Sequence, residues 1–291
     1  MKNYRELPFY KEMNLDTLFQ NAWDIFKKNF GWFFLFTFLF VLIIQYFSNS
    51  IMGDYMQTIT NMENNPEAIY PLMKKLGLIF LIMIPAYTLL YVFLTYVVLN
   101  PIEEGGLSYL ELFKSSLKYF LPVLGASILA GLIFSVGSML GIVVFIIGML
   151  FAMLYFAVVF FPLVPIVMVE KTSPGNAIRR CFRLIHSDFW KNVGWVLAFL
   201  ALYMVASGIL SMITMIPNVG NFFKVIGNPE SATAAGSLFQ SATSPLSLIL
   251  SSIATAVILP FQPIVSVLLY LHLRHKEDQV EDRQEILQHF R

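Results

Sequence analysis

Forty-nine consecutive residues, Leu121 to Val169, carry no charged side chain. About 20 helical residues cross the hydrocarbon of a bilayer. A stretch of this length is therefore two crossings with a tight turn, placed near Gly137–Gly141. Four more apolar runs of crossing length flank it, giving six spans at about 31–52, 76–99, 121–139, 142–169, 193–216 and 245–271. Composition agrees, with 57% hydrophobic and 13% charged residues and a mean hydropathy of +0.70. An ordinary soluble domain carries about 25% charged residues, so this chain has too little polar surface to cover a water-soluble globule. The expected fold class is all-α, a polytopic membrane protein with six transmembrane helices. A soluble enzyme, a nucleic-acid binder and a disordered tail are excluded. The net charge of +1 offers no strong field to an acidic partner, and one cysteine allows no intrachain disulfide.

Lys and Arg set the expected orientation. Sixteen of the 19 fall in residues 1–30, in the segments between spans two and three and between spans four and five, and after span six. Only Lys74, Lys75 and Lys224 lie on the other side. By the positive-inside rule both termini are cytoplasmic, which an even number of spans requires. Residues 1–30 form a cytoplasmic arm without the short apolar core of a secretory signal. Residues 31–271 form the membrane domain and 272–291 a charged cytoplasmic tail. The outer loops, Gly53–Lys75 and Pro217–Ser244, read as solvated connectors or as a lid over an entrance.

Three helix-periodic segments precede spans one, three and five. Leu15, Leu18, Phe19, Ala22, Trp23, Phe26 and Phe30 share one face of the first. Tyr109, Leu112, Phe113, Ser116, Leu117 and Phe120 repeat that spacing. The third uses Ile178, Cys181, Phe182, Ile185 and Phe189, with Arg179, Arg180 and Arg183 on the opposite face. They are expected to be amphipathic interfacial helices on the cytoplasmic side, each feeding into a span, and together a diverged repeat. Their roles are to set register, to dock a protein partner through Trp23, Leu117 and Phe182, or to meet anionic lipid through Arg179, Arg180 and Arg183 at about 1 kcal/mol per charge.

Chemistry is sparse. No span carries a charged residue or histidine at its centre, which argues against an ion-coupled transporter or proton relay. Gln45 and Gln262, with several Ser and Thr, read as helix-packing groups. Pro162 and Pro165 in span four and Pro260 and Pro263 in span six share a Pro-x-x-Pro spacing. Such breaks either shape a static bundle or, with Gln262, border a cavity. Glu170 ends span four and is expected to pair with a cytoplasmic Arg or to cap the helix that Ser173 and Pro174 begin. Glu103 and Glu104 lie at the same membrane face, so the three are the candidate interfacial carboxylates. His272 and His275 alone are weak support for a metal. Cys181 reads as a small buried hydrophobe. No phosphate-binding glycine loop, zinc spacing or nucleophile triad is legible. No catalytic residue, metal or cofactor is expected, and the chain is expected not to be an enzyme.

Phe160-Phe161-Pro162 through Glu170, then Ala177 and the helix to Trp190, and the run Leu269-Tyr270-Leu271-His272-Leu273-Arg274 together resemble one bacterial group. It is the group named for the membrane domain of glycerophosphoryl diester phosphodiesterase, with its stand-alone relatives. In fused members a separate barrel does the hydrolysis, and this sequence has no room for that barrel or its acidic and histidine motifs. The resemblance therefore implies a bacterial inner-membrane protein without carried-over activity. The expectation is a scaffold, anchor or accessory subunit with membrane lipid, anionic lipid included, and a membrane or cytoplasmic protein as partners. The alternative is a lipid-handling or small-molecule permease with a cavity between spans four and six.

Overall fold

A computed structural model describes residues 4–52, 69–101, 108–142, 145–215 and 244–289. Among these there is no strand. Ten α-helices form: α1 (Leu15–Met52), α2 (Ile69–Leu99), α3 (Tyr109–Ser116), α4 (Phe120–Ile142), α5 (Phe145–Val159), α6 (Leu163–Glu170), α7 (Pro174–His186), α8 (Phe189–Met215), α9 (Pro245–Ile258) and α10 (Phe261–His289). Six segments are long and apolar enough to cross a membrane. The chain is an all-α, multi-pass membrane protein.

Several helix starts are written in local chemistry. Asn14 and Thr17 cap α1 reciprocally, each side chain accepting the other's backbone N–H at 2.8 and 3.0 Å. Ser108 and Glu111 close a capping box on α3. Ser173 and Pro174 open α7 as expected, although the Ser173 hydroxyl makes no capping bond. Ser244 and Pro245 open α9 in the same pattern, with the Ser244 oxygen accepting from the Ser247 N–H.

The chain divides into two compact units. The first comprises Met1–Phe30, Thr88–Ala201 and Phe261–Arg291. It contains α3 to α7 and α10, and its core includes Leu94, Ile166, Met168, Ala177, Cys181, Leu268 and Tyr270, all fully buried. The second comprises Gly31–Tyr87 and Leu202–Pro260. There the expected packing role of Gln45 is realised: its Oε1 accepts from Ser251 and Ser252 at 2.7 and 3.3 Å. Leu39, Ile43, Leu81 and Met204 stand exposed in this unit, as apolar side chains facing lipid do.

Three expectations need correction. Gly137 and Gly141 are inside α4, not in a turn. They are the close-approach positions of the α4–α5 contact. A Cβ on Gly141 would lie 2.7 Å from the Gly148 carbonyl oxygen, and one on Gly137 would lie 2.1 Å from the Phe156 ring. Their Gly-x-x-x-Gly spacing is the small-residue packing device of membrane helices. The segment before span three does not run straight into it, because a 3₁₀ turn, Leu117–Tyr119, intervenes. The third segment is likewise set off from its span, with α7 ending at His186 and α8 starting at Phe189. The residues after 271, expected as a charged cytoplasmic tail, continue α10 as helix to His289. Only the first segment is continuous with its span, in the 38-residue α1. The two outer loops fall mostly at 53–68 and 216–243, and Glu103 and Glu104 at 102–107, outside the described residues.

The two Pro-x-x-Pro sequences produce the same local event. Span four breaks at Phe160–Pro162 and restarts at Leu163, so Pro165 occupies the third helical position of α6. Span six breaks at Leu259–Pro260 and restarts at Phe261, so Pro263 occupies the third position of α10. Proline at position i leaves the carbonyl at i−4 without its donor. For Pro165 that carbonyl is Phe161, and Ser266 of α10 supplies the missing donor, its Oγ–H reaching the Phe161 oxygen at 2.7 Å. All four prolines are buried.

A buried ionic cluster as the candidate functional site

Glu170 is the last residue of α6, and Lys171 follows in the left-handed conformation at φ 48°, ψ 40°. That reversal and the Thr172–Ser173 linker lead into α7, which packs on α6. The buried stripe of α7 is Ala177, Ile178, Arg180, Cys181, Leu184 and Ile185. Arg180 is thus on the inward face, between Ala177 and Leu184 at helical spacing, and not on an outward basic face as expected. A buried guanidinium needs complete pairing, since uncompensated burial of charge costs several kcal/mol. Arg180 receives it. Its Nε donates to both Glu170 oxygens at 2.9 and 3.0 Å. Its Nη1 donates to Glu277 Oε1 at 2.6 Å, and Nη2 donates to Glu277 Oε2. Burial acts against the Arg180 charge, but the hydrogen bonds to Glu277 and Glu170 outweigh it and raise its pKa.

The cluster extends along α10. Tyr270 donates to Glu170 Oε1 at 3.2 Å. Arg183 and Arg274 reach the Glu277 carboxylate at 2.8 and 2.9 Å. Asp278 holds Arg5 at 2.9 Å on Oδ2, while its Oδ1 faces Arg274 Nε at 3.0 Å outside hydrogen-bond alignment. Tyr10 donates to Asp278 Oδ2 at 2.5 Å. Burial, helped by that bond, pushes the Tyr10 hydroxyl pKa up. Four guanidiniums therefore meet three carboxylates, and each carboxylate is engaged by at least one arginine.

The same end of α10 straps down the segment before α1. Besides Arg5 and Tyr10, the Met13 N–H donates to His272 Nδ1 at 3.0 Å. An Nδ1 that accepts leaves the ring proton on Nε2, so this histidine is neutral. Its ring packs on Trp195 with centroids 4.8 Å apart. His275 lies edge-on to Tyr10 at 5.0 Å. Among the described residues no group of three or more His, Cys, Asp or Glu is arranged to hold a metal.

The remaining expected site residues are dispersed. Arg179 is exposed, and Arg183 is exposed and pairs with Glu277. Phe182 is half-buried within an aromatic group formed by Tyr155, Phe160 and His186. Trp23 is 52% exposed and stacks on Phe261, and Leu117 is 44% exposed in the 3₁₀ turn. Gln262 is half-buried on α10. Of the candidate carboxylates only Glu170 is described, and it takes the arginine-paired alternative. Cys181 is fully buried as expected, and burial first, then the nearby Glu170 charge, raises its thiol pKa.

Sequence reasoning missed Tyr270, Glu277, Asp278, Tyr10 and the N-terminal strap. Glu277 and Asp278 carried one usable signal. They follow Arg274 at i+3 and i+4 on a helix that continues from the last span, a spacing that places acid beside base.

A multi-pass membrane protein, without strands among the described residues and stitched at its terminal segments by an arginine–carboxylate cluster, is the class these observations define. No protein-family model, no curated protein and no solved structure matches the chain.

Proposed function

We propose that this chain is a non-catalytic scaffold, anchor or accessory subunit of a membrane process, and that it belongs with the stand-alone relatives of the glycerophosphodiesterase membrane domain. In this reading it lies in a bacterial cytoplasmic membrane with both termini in the cytoplasm, and the unit that carries the termini is its docking platform. The observation that supports it is the ion pairing within the cluster. Glu170 is held by Arg180 and Tyr270, while Arg180 ties α6, α7 and α10 into one shape. The exposed Trp23 and Leu117 are the docking contacts. The permease alternative has less to rest on, because the prolines that would border its cavity are buried in packing.

Native mass spectrometry after gentle-detergent purification from the native host tests the reading. The expected result is a stoichiometric protein subunit, lost from the Trp23→Ala, Leu117→Ala variant. Phospholipid turnover by the purified chain that disappears in Glu170→Gln would overturn it.

A further inference from the structure

One groove in the first unit has the opposite character to the cluster, because among the described residues no carboxylate pairs with its cations. It is a half-open cavity of about 370 Å³ lined by Lys118, Tyr119, Pro122, Val167, Lys171 and Thr172. Tyr119 and Val167 are buried and form its floor, while the two lysines are exposed at its rim. Neither lysine pairs with a carboxylate among the described residues. The Lys118 ammonium lies 5.0 Å from the Tyr119 ring centroid.

The backbone at Lys171 adds an independent observation. It is the one non-glycine residue with positive φ among the described residues, at a helix end where glycine is the usual occupant. A side chain there works against the conformation. A lysine at such a position points to a use for its ammonium. The surroundings name the ligand. Lys118 lies in the 3₁₀ turn that leads into α4, and Leu121, Ile128 and Leu132 form an exposed apolar stripe along that helix. An anionic head against two lysines and an acyl chain along an apolar helix face is the outline of a phospholipid.

We infer that this groove binds the phosphate of an anionic phospholipid through Lys118 and Lys171. The site goes beyond the scaffold reading and stands or falls separately from it. It also moves lipid contact away from Arg180, whose charge is spent inside the protein.

The test uses the full chain, delipidated in mild detergent and titrated with dioleoyl phosphatidylglycerol or dioleoyl phosphatidylcholine, with bound lipid counted by native mass spectrometry. The wild type should prefer phosphatidylglycerol. Lys118→Gln with Lys171→Gly should weaken that binding about 30-fold, from two interfacial cations. Glycine at 171 suits the backbone, so the thermal midpoint should not fall, and Lys118→Gln alone should show part of the loss. Lys28→Gln with Lys114→Gln removes the same charge at exposed sites elsewhere and should leave binding intact. Equal binding by wild type and groove variant, equal loss in the control variant, or no preference over phosphatidylcholine would each overturn the inference. So would displacement of the lipid by excess inorganic phosphate, which would mark a site for the free anion.

Discussion

Replacing Arg180 by methionine should be the most damaging single change in the ion cluster, and the structure sets the size of the effect. Arg180 contributes four N–H contacts, two to Glu170 and two to Glu277. Without it Glu277 keeps Arg183 and Arg274, but Glu170 keeps only Tyr270. The stranded Glu170 therefore carries the cost. Removing one partner of a buried pair costs about 3–5 kcal/mol. Glu170 retains 21% side-chain exposure, which places the loss near the lower end, at about 3 kcal/mol. Glu170→Gln leaves Arg180 gripped by Glu277 and should cost about 1.5–3 kcal/mol, the value of one charged hydrogen bond. The double variant Arg180→Met, Glu170→Gln leaves no unpaired charge at position 170. It should be no less stable than Arg180→Met alone, a coupling of about 2 kcal/mol. The assay is unfolding by sodium dodecyl sulfate in mixed micelles, followed by circular dichroism. Additivity of the two changes within about 0.5 kcal/mol would refute the argument, as would an Arg180→Met protein as stable as wild type.

Three further outcomes follow from particular contacts. Cys181, the sole cysteine, should resist maleimide in the folded protein and react after detergent unfolding, because its thiol is buried and its pKa raised; labelling at a model-thiol rate in the native state would contradict that burial. Gly141→Leu should destabilise by about 1–3 kcal/mol in the same mixed-micelle titration, since the α4–α5 backbones must separate to admit a side chain. The Tyr10–Asp278 bond should hold below the ordinary tyrosine pKa of about 10 and be lost as pH climbs through the raised folded value. Protease sensitivity of the residues before α1 should therefore increase only in strong alkali, and Tyr10→Phe should raise it at neutral pH.

The spans were legible because each is a continuous local signal that length and hydropathy settle. Glu170 was legible as a partner for arginine because it closes a charge-free run just before a basic segment. Which arginine it takes was also within reach of periodicity. Ala177 and Leu184 flank Arg180 at i−3 and i+4, and including Leu184 in the apolar face would have turned Arg180 inward. The glycines at 137 and 141 were ambiguous, since a glycine pair serves a turn and a close helix contact equally well. The strap was not legible at all. Periodicity reports which residues share a face, and it says nothing about a partner 259 residues away, the separation of Met13 and His272.

The Ser266–Phe161 hydrogen bond has a consequence for how the protein is made. The donor is translated 105 residues after the carbonyl it serves. Arg180 likewise waits 97 residues for Glu277. A nascent chain released into the bilayer through span five therefore holds an unsatisfied carbonyl, costly away from water, and an Arg180 paired with Glu170 alone. Every one of these debts is cleared by α10. Assembly is thus completed in one late step, and a product truncated before Phe261 is a conspicuous substrate for membrane quality control despite holding most of its apolar mass.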